Sequence, residues 1–221
     1  MAVKKNEIQS TAETKQIVIP APNFKSAEFT IEGTAPFVSN NFSQEAQDMM
    51  KEKTQKLSGA SGKSKRPPKD FNADYEGSKH ISTDGWMGFV CSSLRKAAIS
   101  ACGIVGFKMT HAKKGIFIRP AGFDKHSGEP LVQIIGECHM VQHPVRLATG
   151  AADIKSRAMF DTWSAKFVVD YDGDMFSVTD LYNLFMRAGL QVGIGAGRPD
   201  STNSAGMGWG TFKIASVREL A

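Results

Sequence analysis

SVTDLYNLFMRAGLQVGIGAGRPDSTNSAGMGWGTFKIASV, Ser177 to Val217, reads as a helix, a glycine-rich loop and a strand, in that order. Leu181, Leu184, Phe185 and Ala188 recur at helical spacing, Ser177 can cap the start, and Gly189 can end the helix. From Gly189 to Gly210 there are seven glycines in 22 residues and one basic residue, Arg198. Glycine admits positive φ and lets another chain approach the backbone closely. Loops of this kind commonly hold phosphates through main-chain N–H groups. Nucleotide-binding loops, however, run strand, glycines, helix. The reversed order here points away from a nucleotide pocket, and Gly193, Gly195, Gly197 and Arg198 become candidate contacts for a phosphate backbone.

Working outward, Phe29 and Ile31 alternate with polar residues in SAEFTIEGTAPFV (Ser26–Val38), as in a half-buried strand. DGWMGFVCSSLRKAAISACG (Asp84–Gly103) repeats Trp86, Val90, Leu94, Ala97 and Ala101 at helical spacing, which predicts a helix with Arg95 and Lys96 on its solvated side. GIFIRPAG (Gly115–Gly122) and LVQIIGECHMVQ (Leu131–Gln142) read as a strand pair, and SAKFVVDYD (Ser164–Asp172) as a further strand. The expected organisation is an N-terminal arm at 1–25 and one domain at 26–221. That domain carries a Lys-rich insertion at about 41–80 and an irregular connector at about 143–163.

Without the insertions the order is strand, helix, strand, strand, helix, strand. This predicts an α+β protein with a ferredoxin-like (RRM-like) split β-α-β sheet, two helices on one face, and large loop insertions. The opposite face is then free to bind, as in many RNA-binding modules of this topology.

Composition sets the bounds. The chain has 221 residues, is 41% hydrophobic and 22% charged, and carries a formal charge of +5. That mild basicity suits a polyanionic partner. No apolar run is long enough to span a bilayer, and residues 1–20 lack the apolar core of a secretory signal, so the expectation is a cytoplasmic protein with no membrane partner. Three cysteines (Cys91, Cys102, Cys138), none in a C-x-x-C pair, argue against a disulfide framework or a zinc site.

On the helix SVTDLYNLFMRAG, the loop GIGAGRPDSTNSAGMGWG and the strand TFKIASV, the chain resembles the RAMP superfamily of CRISPR systems. The resemblance implies a ferredoxin-like fold and a role in coating a guide strand. It also implies self-assembly as a homo-oligomer or filament, and CRISPR complex proteins as partners. The chain is short for a backbone subunit, and its Lys-rich insertion follows the first strand. A stand-alone viral or plasmid-encoded relative in a bacterial host's cytoplasm is the other form the resemblance takes.

Two further groups of residues suit an unpaired strand, for which cations track the backbone and rings stack on bases. The first is Lys51, Lys53, Lys56, Lys63, Lys65, Arg66 and Lys69, set against one acid, Glu52. The second is Arg146, Lys155 and Arg157, with Phe160 and Trp163 nearby. The expected function is therefore a non-catalytic single-stranded RNA- or DNA-binding protein that assembles cooperatively and needs no cofactor or metal. The alternatives are a metal-independent RNA-processing endoribonuclease, with His111 beside Lys113 and Lys114 as its best acid–base candidate, or a protein-interaction module acting on a CRISPR complex. No P-loop, G-x-S-x-G or H-E-x-x-H motif supports a hydrolase.

Overall fold

The computed structural model describes residues 19–41, 69–146, 152–201 and 205–220. Its elements run β1 (Phe24–Gly33), β2 (Phe37–Val38), α1 (Phe71–Gly77), β3 (His80–Ile81), β4 (Met87–Val90), α2 (Cys91–Ile104), α3 (Met109–Gly115) and β5 (Ile116–Arg119). There follow β6 (Gly122–Phe123), β7 (Pro130–Ile135), β8 (Cys138–Arg146), β9 (Ala152–Phe160), β10 (Ser164–Asp172), α4 (Val178–Arg187) and β11 (Phe212–Leu220). The protein is α+β, and every described strand pairing is antiparallel.

Alternation along the long strands builds the larger sheet. Ala27, Phe29 and Ile31 of β1 and Ala165, Phe167, Val169 and Tyr171 of β10 all point to one face and are buried. Strand β10 pairs with β1 along nearly its whole length. Its other edge is shared, with β5 at Val168–Tyr171 and β7 at Ser164–Ala165. The resulting order is β11-β1-β10-β7-β4-β3, with β5 beside β10 and β6 beside β7. Helices α2 and α4 cover the buried face. Leu94, Ala98 and Ala101 of α2 and Leu181, Leu184 and Phe185 of α4 are all buried, and Phe185 lies 5.1 Å from Phe29 by ring centroids. Each such ring removed from water contributes roughly 1.5–3 kcal/mol.

The other face of the sheet is charged and self-neutralising. Glu28 pairs with Lys166 and Arg218, Asp170 with Arg119, and Glu32 with Lys213. Cross-strand pairs of opposite charge stabilise a solvated sheet face and also occupy the cations that line it.

Several segments differ from their sequence-based reading, among them the strand pair expected from GIFIRPAG and LVQIIGECHMVQ, which forms only as β6 on β7 because β5 pairs with β10. The helix expected from Asp84 starts instead at Cys91, because Met87–Val90 forms β4 against β7. Gly88 permits that pairing, since a Cβ there would sit 2.4 Å from the Val132 carbonyl oxygen. The irregular connector expected at 143–163 is mostly regular: β8 and β9 form a hairpin, and β2 joins β9 to complete a three-stranded second sheet. Inward-facing Ser156 and Ala158 are small, so the period-2 pattern of β9 is faint in the sequence. The expected insertion likewise ends in regular structure, with α1 and β3 lying between residues 71 and 81.

Candidate nucleic-acid interface

The capping box at the start of α4 is present, Ser177 and Asp180 each satisfying the other's backbone N–H. At its far end the helix widens into a π turn, Ala188–Val192, before Gly193 turns the chain at φ 72°. The glycine loop then folds back on itself and on β2. Ile194 N–H donates to the Gly210 carbonyl, Ala196 N–H to Val38, Met207 and Trp209 N–H to Gly197, and Gly210 N–H to Pro36. Those N–H groups are therefore spent within the chain. The positive φ at Gly195 serves close packing, because a Cβ there would meet the Phe37 ring at 2.6 Å and the Val38 carbonyl oxygen at 2.7 Å. Gly193 is buried, and Gly197 lies against the Trp209 ring. The loop is braced by these bonds and by the packing of its glycines.

Between this loop and α2 lies a cleft of about 150 Å³, lined by Ser93, Lys96 and Ala97 on the helix and by Val192–Gly195, Arg198 and Asp200 on the loop. The Arg198 guanidinium donates to the Gly195 carbonyl oxygen at 3.3 Å, which aims it along the cleft wall. Asp200 is engaged by the Ser100 hydroxyl at 2.7 Å. Lys96, expected on a merely solvated face, thus stands opposite Arg198. Arg95 is half-buried and donates to the Ile116 and Lys113 carbonyls.

The second sheet reaches the same loop through His143, whose ring meets Trp209 edge-on with centroids 5.2 Å apart. Arg157, one strand across, donates to His143 Nε2 at 3.2 Å, so that nitrogen must be an unprotonated acceptor. Burial, reinforced by the Arg157 charge, holds the His143 imidazole below its ordinary pKa and keeps it neutral. Burial also lowers the Arg157 guanidinium, with Asp74 opposing. Beyond them, Lys69 lies 2.8 Å from Asp153 and 3.5 Å from Asp74, and Lys155 lies 3.7 Å from Asp153. The hydrogen bond from Lys69 is the largest of the influences that hold the Asp153 carboxyl low.

The structure therefore brings Arg198, Lys155, Arg157 and Lys69 to the loop–hairpin side of the molecule, and adds Lys96, His143 and Trp209. Arg146 ends β8, with its backbone paired to Ala152. Lys51, Lys53, Lys56, Lys63, Lys65 and Arg66 lie outside the described residues. The residues flanking that segment are each anchored: Asn41 binds the Ser78 and Lys79 carbonyls, and Lys69 binds β9. Phe160 and Trp163 are not available for stacking. Both are buried, packed with Phe37, and the Trp163 indole N–H donates to the Ala35 carbonyl oxygen. His111 is exposed on α3. Among the described residues no three His, Cys, Asp or Glu side chains gather as metal ligands, and no helix is long and apolar enough to cross a membrane.

Trp209 and Lys96 escape sequence reasoning because each acts across a tertiary gap. The one local hint is that Trp209 is the only aromatic residue within the glycine run. Compared with models of known families and with curated protein sequences, the chain matches none.

Proposed function

We propose that the protein binds single-stranded nucleic acid non-catalytically, across the surface formed by the glycine-loop cleft and the β8–β9 hairpin. The observation that carries this reading is the His143–Trp209 contact, because it joins Arg198 and Lys96 on one side to Arg157 and Lys155 on the other. Cations arrayed along a surface track a flexible phosphate backbone without reading its sequence. The ferredoxin-like assignment belongs to the same reading. It is supported by the order β11-β1-β10-β5, with α2 connecting towards β5 and α4 towards β11. That order also supports the resemblance to RAMP backbone subunits. Cooperative coating of the strand fits the position of β11 at one end of the sheet, where a neighbouring copy can add.

The test compares matched single-stranded DNA, single-stranded RNA and duplex by filter binding over a range of salt. Lys96→Ala with Arg198→Ala is expected to weaken single-strand binding for all sequences alike. It should also flatten the salt dependence by about 0.7 in log–log slope for each phosphate no longer neutralised. Wild-type affinity and slope in that variant would overturn the reading.

A further inference from the structure

From Gly85 to Phe123 the chain contains no Asp or Glu but six cations, Arg95, Lys96, Lys108, Lys113, Lys114 and Arg119. The fold concentrates several of them at the free edge of β5. The Arg95 side chain wraps that edge, donating to the carbonyls of Ile116 and Lys113. Its guanidinium carbon lies 4.8 Å from the centre of the Phe117 ring. Lys113 and Lys114 occupy the last turn of α3 beside it and are exposed. Phe117 in turn lies 5.9 Å from Phe24 by ring centroids, and the two are 40% and 49% exposed. On its other flank Phe24 opens onto a groove of about 480 Å³ lined by Lys25, Ser26, Glu219 and Leu220.

Two large rings side by side in water contribute little to the fold they stand on. Their chemistry as a surface is specific. A guanidinium over an aromatic ring makes a cation–π contact, and a nucleobase presents a polarisable face that an exposed ring can stack on. Acids lie on β10, between the strands that carry the two rings: Asp172 pairs in register with Phe24, and Asp170, held by Arg119, pairs in register with Phe117. The exposed Lys113 and Lys114 lie in the turn of α3 that leads into β5, the strand of Phe117. A strand stacked here would therefore run its phosphates past Lys113 and Lys114.

We infer that Phe24 and Phe117, with Arg95, Lys113 and Lys114, form a second contact for single-stranded nucleic acid, one that stacks bases, separate from the glycine-loop cleft. This inference rests on the function proposed above.

The experiment uses the full chain and measures binding to oligo(dT) and oligo(rU) over a range of salt. Phe24→Leu and Phe117→Leu keep an apolar side chain but remove the stacking face. Each is expected to lower affinity about tenfold with the salt slope unchanged, as removal of one base stack requires. Lys113→Gln with Lys114→Gln is expected to do the reverse and flatten the slope, by about 0.7 for each phosphate no longer neutralised. Thermal unfolding of each variant at the wild-type temperature confirms that the fold is kept. If the unaltered protein binds and the leucine variants bind equally well, the stacking site is overturned while the cleft stands. If the unaltered protein binds neither oligonucleotide, both fall.

Discussion

His143 meets Trp209 edge-on across 5.2 Å, and this contact links the hairpin of the smaller sheet to the glycine loop that leads into the larger one. Aromatic pairs in this geometry contribute about 0.5–1.5 kcal/mol beyond area burial. A double-mutant cycle of His143→Ala and Trp209→Ala, followed by urea unfolding, should return a coupling of about that size. A coupling of zero would mean that hairpin and loop do not act as one surface.

His80 and Asp124 face each other at 3.5 Å, both buried, with Nδ1 and Oδ2 lacking hydrogen-bond partners. Burial lowers the His80 pKa and outweighs the attraction of the Asp124 carboxylate. A histidine whose folded pKa lies below its unfolded value of about 6.5 binds its proton more tightly when the chain unfolds. Stability is therefore full above about pH 6.5 and is lost as the pH falls from there towards the folded value. The lowered pKa of His143 acts in the same direction. Thermal melts between pH 8 and pH 5, taken as approximate bounds of the histidine range, should show the melting temperature falling on acidification. His80→Asn should reduce the fall. A rise on acidification would show instead that the two side chains form a charged pair.

Gly208 and Gly210 have similar backbones, at φ 76° and 68°, in very different surroundings. A Cβ on Gly208 meets nothing within 4 Å, whereas one on Gly210 would lie 1.7 Å from the Ile194 carbonyl oxygen. Gly208→Ala should cost about 1–2 kcal/mol, the left-handed conformational penalty alone. Gly210→Ala should cost clearly more, because the Ile194–Gly210 hydrogen bond must also move. Equal costs in denaturant unfolding would contradict the braced loop.

Trp163→Phe should separate packing from binding. The substitution leaves the Ala35 carbonyl oxygen without its indole donor in a well-packed site, at a cost of about 1–3 kcal/mol in stability. Oligonucleotide affinity should be unchanged, since the ring is buried among Phe37, Phe89 and Phe212. Weaker binding at unchanged stability would place Trp163 on the binding surface after all.

The elements with strong periodicity were legible in advance. Leu181, Leu184 and Phe185 marked α4, the alternation through Phe29 and Ile31 marked β1, and SAKFVVDYD marked β10. Strand β9 was not, because small inward residues and outward cations resemble a loop. Nor was the break at Gly136, where φ 151° divides LVQIIGECHMVQ into β7 and β8, strands of different sheets. At the candidate site the sequence pointed to Arg198, Lys155 and Arg157 by charge alone. It also pointed to Phe160 and Trp163, which are core, because composition does not tell which side of a strand or turn a ring will face.

The chain by itself determined an α+β protein, its two principal helices, the strands β1, β10 and β11 and a glycine loop between the last helix and the last strand, since hydrophobic period and backbone freedom are local properties. Only the tertiary structure decided what the loop contacts. The N–H groups of Ile194, Ala196 and Gly210 are taken by Gly210, Val38 and Pro36, and Arg198 faces a lysine that lies 102 positions earlier, at Lys96. Contacts across such separations are set by strand register and helix packing, which no window of residues contains.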